Sequence, residues 1–546
     1  MALSPPADTL RTPLSPIGPR SLASRTAWAA PAVMAILAVL AFAVRAYHGL
    51  HSAPFGDESG HFLGARAIVA GDRLYRDFID AHGPLSFMVA QLYIVLFGGT
   101  EPLQARWAII AIIAAAAAAI TTSPALHDSR ARLWALALFL GLITGPWIIQ
   151  ALNMLNFYTI GGALVAVVLA WLVLPAWQND PIIRWQAVAS GVCLALLCAA
   201  AYSFVPTALL LAASAALAIY VGPNRASFRE LMVAQAVGAL AGLFLILAWM
   251  LRYGDPVGYL VFHIINMQVN YSRYIPFGWK VMLASLVPST RAAYIVQTTA
   301  TLAFAAGFAA LFSRPRQWQT LRHPVIRAAA LLLWVLAILL LNIRGSNLFH
   351  NGGFLVASMA MAALALPIAL ANGARPPTTV STLPVSLALG LLLTANELTD
   401  RRALATPSGV PAEEFRKWPQ GTLKTDDAIP IVHRIRQVLR PGERLLVLEY
   451  HPNLYLLAGF LSFRKYHEYL PWEADYARAP WFGRQRDLCV DLARDPPPVI
   501  VYTHEKVWGK YDTESFMPCL SPLLAKDYQA DAIATLFIRK DRVPSP

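Results

Sequence analysis

Residues 231–251 read LMVAQAVGALAGLFLILAWML, an apolar run with no charged side chain. At about 1.5 Å per helical residue, it crosses a hydrocarbon core of about 30 Å. Ala27–Ala46 is long enough to do the same. Similar segments recur at 104–123, 132–150, 158–176, 186–203, 205–221, 292–312, 325–342, 353–371 and 382–396, with a shorter one at 84–98. Lipid tolerates only helices or closed barrels, so the chain reads as an all-α polytopic membrane bundle of about 11–12 apolar segments. Composition agrees: 57% of residues are hydrophobic, 14% are charged, and mean hydropathy is +0.51. Average soluble domains carry about 25% charged residues.

The net charge of +13 is read as topology, because Lys and Arg collect in cytoplasmic loops. No basic-aromatic patch points to nucleic acid. Arg130/Arg132, Arg225/Arg229 and Arg314/Arg316/Arg322/Arg327 mark three cytoplasmic loops. The alternating path then places 151–157, 252–290, 343–352 and the region from 397 outside. One conflict remains. The Arg-containing N-terminus belongs inside, so Asp57 is outside after one span. Reaching Arg130 inside needs an odd number of crossings, yet two apolar segments, 84–98 and 104–123, intervene. The first is shorter than the usual span of about 17–25 residues.

Residues 1–26 are rich in Pro, Ser and Arg and read as a disordered cytoplasmic N-terminus. The first apolar run is too long for an ordinary signal-peptide core and reads as an uncleaved anchor. From 397 to 546 the chain turns polar. A helix-like stretch, Ala428–Leu439, precedes strand-like Leu445–Leu448, and Pro496–Pro498 sets off strand-like Val499–Tyr502. These features predict a small α/β extracytoplasmic domain after a membrane domain over 27–396. Cys193 and Cys198 lie in an apolar helix and read as packing residues. Cys489 and Cys519 can pair if the tail is outside the cytoplasm. No Cys/His spacing matches a zinc site.

The external loop 47–83 contains PFGDESGHFLGARAIVAGDRLYRDFIDAHG. Asp57 is placed to cap a short helix that ends at Gly71. Phe62, Ala65 and Val69 share a face, which predicts an amphipathic helix along the membrane surface. A carboxylate there can take a proton from an acceptor hydroxyl or bind a divalent cation. Acidic pairs in external loops are usually only solvated, so the dipeptide alone is a weak signal.

The surrounding pattern is more specific. Asp57-Glu58, then Gly71-Asp72-Arg73-Leu74-Tyr75-Arg76-Asp77-Phe78, then Pro84-Leu85, resembles the first external loop of lipid-dependent GT-C glycosyltransferases. The subgroup it resembles comprises the aminoarabinose, galacturonic acid and protein-mannosyl transferases. The likeness implies sugar transfer from a polyprenyl-phosphate donor in the bilayer, with inversion, in a bacterial inner membrane. Lipid A or lipopolysaccharide, another envelope glycan or protein would be the acceptor. Asp57 would be the base, and Glu58 would position the acceptor or support Asp57. Where the family often has Lys-Pro-Pro-Leu, this chain has His82-Gly83-Pro84-Leu85, so His82 becomes a phosphate contact. Arg344 and His350 in LNIRGSNLFHNGGF, and Arg273, are the other phosphate-binding candidates. Tyr75 and His263 are further site candidates. Asn156 stands where the family often has a second acid, so a metal at Asp57 is not assumed and no cofactor is otherwise implied. Tyr271, Tyr274 and Trp279 read as interface-belt aromatics.

The competing reading is a transporter or flippase of lipid-linked or envelope precursors. Transporters usually place ionisable residues within spans. Here the central spans are nearly free of them, which favours an interfacial enzyme.

Overall fold

The computed structural model describes residues 22–50, 56–99, 102–145, 147, 152–275, 277–284, 300–305, 307–308, 324–343, 351–371, 425–507, 509–533 and 535–543. Arg344, His350, the segment 382–396 and the start of the tail at 397 lie outside these residues.

The apolar runs are helices: α1 (Leu22–Gly49), α2 (Gly56–Val69), α3 (Pro84–Phe97), α4 (Arg106–Thr121) and α5 (Ser129–Thr144). After them come α6 (Phe157–Gln178), α7 (Arg184–Ala200), α8 (Val205–Val221), α9 (Phe228–Tyr253), α10 (Pro324–Leu340) and α11 (Gly352–Ala371). Four helical stretches among the described residues are long and apolar enough to cross a membrane: Ala29–Leu50, Phe157–Gln178, Tyr202–Val221 and Asn224–Tyr253. Residues 231–251 sit inside α9. Its Val233, Leu240 and Phe244 are exposed, as are Ile36 and Leu40 of α1. Such faces suit lipid, where helix association rests on close packing rather than on escape from water. α7 packs along α9, α1 along α5, and α8 along α10.

The position of α3 bears on the crossing conflict. Its first turn follows His82, beside Asp57, and α4 begins at Arg106, which is bonded to Glu58 and to the Gly49 carbonyl at the end of α1. Both ends of the segment between them therefore lie at one face, called here the site face. Gln91, midway along α3, accepts a hydrogen bond from Trp249 Nε1 at 2.7 Å, near the site-face end of α9. Val95, a turn further on, lines a cavity with Leu251, Arg252 and Tyr253. So α3 begins and ends close to the site face. Its Leu92, Val95, Leu96 and Phe97 are exposed, while Leu85, Phe87 and Ala90 are buried.

The expected surface helix is a different element. α2 is buried along nearly its whole length, from Glu58 to Ile68, with Val69 exposed. It lies between α3 and the C-terminal part of the chain. Leu63, Ala67 and Ile68 share one core with Ile431, Ile435, Leu454 and Tyr455. The amphipathic reading fails because the polar residues of α2 also find buried partners, and those partners are remote in sequence.

The C-terminal part holds α12 (Thr425–Val438), α13 (Pro452–Ala458), α14 (Pro471–Arg478), α15 (Leu488–Arg494) and α16 (Leu520–Asp527). Its five strands are β1 (Arg444–Val447), β2 (Leu461–Ser462), β3 (Val499–Val501), β4 (Tyr528–Ala530) and β5 (Leu536–Arg539), in the order β2-β1-β3-β5-β4. β1 pairs in parallel with β2 and β3; β5 pairs antiparallel with β3 and β4. Cys489 and Cys519 are disulfide-bonded.

This domain is docked on the site face by polar links. Arg444 pairs with Asp72 at 2.8 Å, and Arg484 with Asp255 at 2.6 Å. Tyr274 donates to Asp475 at 2.7 Å, and the Tyr271 ring meets Trp472 edge-on. The interface-belt reading of Tyr271 and Tyr274 is thereby corrected, since both rings face the domain. Trp279 is 64% exposed, as a belt residue would be.

Candidate active site

Asp57 lies in the first turn of α2, which begins at Gly56. It is one residue inside the helix and is not its cap. A carboxylate in the first turn is favoured by the helix dipole. Gly71 takes φ +103° just after the helix, the left-handed geometry expected of a stop. The Asp57 side chain is 25% exposed. Its Oδ1 accepts a hydrogen bond from the Tyr450 hydroxyl at 2.6 Å. Its Oδ2 faces His82 Nε2 at 3.9 Å.

Glu58 has no such freedom. It is buried, and both carboxylate oxygens are held by Arg106, at 2.8 Å to Nε and 2.7 Å to a terminal guanidinium nitrogen. Oε1 also accepts from the Leu155 amide at 3.2 Å. Arg106 donates as well to the Gly49 carbonyl, to which Asn153 Nδ2 donates at 3.0 Å. One ion pair thus ties α1, α2, α4 and the loop before α6 together.

His82 sits in a chain of titratable groups. Its Nδ1 is 2.7 Å from Asp80 Oδ1, which also accepts the His82 amide at 2.8 Å. Asp80 Oδ2 meets His467 Nε2 at 3.0 Å. Burial opposes the charge on Asp80. The His82 charge and hydrogen bonds from His467 and His82 outweigh it and hold the carboxyl well below its usual range. Burial lowers His467 despite its bond to Asp80. His61, one helical turn after Asp57, is lowered to about 4, first by burial and then by His82, so it is neutral at pH 7. It donates from Nδ1 to the Leu155 carbonyl at 3.1 Å, and its ring lies 4.8 Å from that of His82.

The motif residues hold this arrangement. Tyr75 adopts φ 63°, and its hydroxyl donates to the His82 carbonyl at 2.6 Å. Asp77 accepts from the Arg73 amide at 3.0 Å and closes the turn. The Phe78 ring stacks on His467 at 4.5 Å. A Cβ on Gly83 would come within 2.4 Å of the Ala199 and Ala200 carbonyls, so only glycine lets this loop meet the end of α7.

The remaining candidates separate. His263 Nδ1 donates to the Ala81 carbonyl at 2.6 Å, and its Nε2 accepts from the Tyr202 amide at 3.3 Å. Both ring nitrogens are engaged with backbone, so His263 anchors the Asp80–His82 loop and presents no nitrogen to a phosphate. Asn156 is the N-cap of α6 and accepts from the Thr159 amide at 2.8 Å. Arg273 is exposed in the turn Tyr271–Arg273. Among the described residues, no group of three or more His, Cys, Asp or Glu side chains is arranged to hold a metal ion. The divalent-cation reading of Asp57 thus lacks a ligand set there.

The sequence reading did not single out Asp80, His61, Arg106, Tyr450 or His467. Asp80-x-His82 and the His61 spacing from Asp57 were visible as patterns. Tyr450 and His467 carried no local signal, because their partners lie in the first loop. A cavity of about 560 Å³ opens at the other end of α2, lined by Ile68, Asp72, Arg73, Val95 and Arg252. It is about 18 Å from Asp57 along the helix axis, too far to hold the reacting bond.

Glu449 adds a pH dependence. Burial pushes its carboxyl up to about 7, against two hydrogen bonds from Thr503. A raised carboxyl stabilises the fold below its unfolded value near 4.5, and the contribution is lost as pH rises through about 7. Relative to wild type, Glu449→Gln is expected to gain stability between pH 5 and pH 8, by on the order of 3 kcal/mol, seen as a smaller fall or larger rise in melting temperature over that range. An unchanged slope in the variant would show that Glu449 is not its source.

No protein-family model and no curated protein matches the sequence. Solved structures do match its fold. One is ArnT from Cupriavidus metallidurans bound to undecaprenyl phosphate, at TM-score 0.55 and 14% identity, covering 92% of this chain and 97% of that one. Another is the archaeal oligosaccharyltransferase AglB from Archaeoglobus fulgidus in complex with an inhibitory peptide and a dolichol-phosphate. It matches at TM-score 0.50 and 14% identity, over 96% of this chain and 75% of that one. The chain shares the fold of these two solved structures. At this identity the likeness is one of fold, and the chemistry has to be argued from the site.

Proposed function

We propose that this chain is an integral membrane glycosyltransferase. It moves a sugar from a polyprenyl-phosphate donor to an acceptor on the external side of a bacterial inner membrane. The acceptor class is lipid A or lipopolysaccharide, another envelope glycan, or protein. The observation that carries the reading is Asp57 itself: a part-exposed carboxylate with Oδ1 held by Tyr450 and Oδ2 facing His82, in a GT-C fold. The neighbouring acids do not compete for the role. Glu58 is locked to Arg106, and Asp80 lies between two histidines.

In the proposed reaction Asp57 Oδ2 takes the acceptor hydroxyl proton. The acceptor oxygen attacks the anomeric carbon from the face opposite the phosphate, inverting it. The bonding pair of the broken C–O bond stays on the phosphate, and polyprenyl phosphate leaves. Cationic groups at the site face would steady that charge. Arg273, exposed in the turn Tyr271–Arg273, and Arg344 and His350 are candidates on sequence grounds. His82 acts beside Asp57 in this scheme, since its Nδ1 is already committed to Asp80.

The test is a panel of radiolabelled polyprenyl-phosphate sugars with purified protein and envelope extract. Label is expected to move from lipid to acceptor with at least one donor. Intact labelled donor crossing a liposome membrane, with no sugar transferred, would support the transporter reading instead.

A further inference from the structure

We infer that Tyr450 is a positioning residue of this site, through which the C-terminal domain decides which oxygen of Asp57 does the chemistry. The inference rests on the transferase reading above. The Tyr450 hydroxyl donates to Asp57 Oδ1 at 2.6 Å across 393 residues of sequence. Burial, and next the Asp57 charge, keep the phenol protonated and so a donor. A carboxylate otherwise turns about its Cβ–Cγ bond and offers either oxygen. Here one oxygen is committed, and only Oδ2, on the His82 side, is left to take a proton.

Three features hold the tyrosine in place. Glu449, just before it, adopts φ 60°, a left-handed geometry that non-glycine residues rarely take and that clusters at functional sites. Its side chain is pinned by the Thr503 amide and hydroxyl, at 2.9 and 2.5 Å. On the other side, the Tyr450 ring lies directly over Gly56, where a Cβ would be 2.4 Å from Cε1. The first residue of α2 therefore has to be small for the ring to reach Asp57. α13, which follows Tyr450, packs on α2 and fixes the approach. The acceptor hydroxyl must then enter from the His82 side of Asp57, not from the domain side.

Two variants test this in the full-length protein. Tyr450→Phe deletes only the hydroxyl. Gly56→Ala keeps it and pushes the ring aside. Each is expected to lower kcat by about 10–100-fold, the effect of losing one charge-assisted hydrogen bond to the base. KM for the donor should stay within about twofold, because binding elsewhere is untouched; the melting temperature should fall somewhat in both, more in Gly56→Ala, where the Cβ crowds the ring. The double variant should lose no more than either single one, since both break the same contact. Wild-type kcat in folded Tyr450→Phe, or losses that multiply in the double variant, would overturn the inference. If wild type transfers sugar and Asp57→Asn does not, while Tyr450→Phe is fully active, this inference fails and the transferase reading stands. If wild type transfers nothing from any donor, the transferase reading fails first.

Discussion

Asp57→Asn is expected to lower turnover by about 10²–10⁴-fold, the range for removing a general base. Asparagine keeps the shape and can still accept from Tyr450, whose hydroxyl binds Asp57 Oδ1. The side chain is 25% exposed and pairs with no guanidinium among the described residues, so the change leaves no buried charge stranded there. The melting temperature should therefore match wild type. A folded variant with full turnover would remove Asp57 from the chemistry.

Glu58→Gln should behave in the opposite way, although the residue is adjacent. Arg106 and Glu58 are 1% and 0% exposed. Neutralising one partner leaves a guanidinium buried among α1, α2 and α4. Breaking a buried pair from one side costs about 3–5 kcal/mol, much of the stability of a typical domain. The expected result is a lower melting temperature and a lower yield of folded protein. Whatever folds should keep appreciable turnover. A stable but inactive Glu58→Gln protein would instead place Glu58 on the acceptor.

The membrane bundle was legible because long uncharged runs have few other readings. The orientation of a run was not. Residues 84–98 are apolar on both sides of the helix, one side exposed and the other buried in the bundle, and hydropathy does not distinguish lying along a face from crossing. α2 misled for a related reason. A short helix with Phe62, Ala65 and Val69 on one face looks amphipathic until Glu58 and His61 find buried partners at Arg106 and Leu155. Two strands of the C-terminal sheet were visible as apolar runs. β2 and β4 escaped because Leu461–Ser462 and Tyr528–Ala530 form no apolar run, and β5, Leu536–Arg539, was not singled out.

At the candidate site, the motif singles out Asp57 and Tyr75. It also suggests a phosphate role for His82, whose Nδ1 bonds Asp80 while its Nε2 faces Asp57. The residues that complete the site come from elsewhere in the chain. Tyr450 and His467 reach Asp57 and Asp80 only after the C-terminal domain docks through Arg444, Arg484 and Tyr274. Pairing across such separations leaves no trace in a single sequence.

The most direct test of the account is a single-turnover measurement with a labelled polyprenyl-phosphate sugar bound beforehand, comparing wild type and Asp57→Asn after addition of acceptor. The account predicts equal donor binding in both proteins and sugar transfer only in wild type. Transfer by Asp57→Asn at the wild-type rate would contradict it.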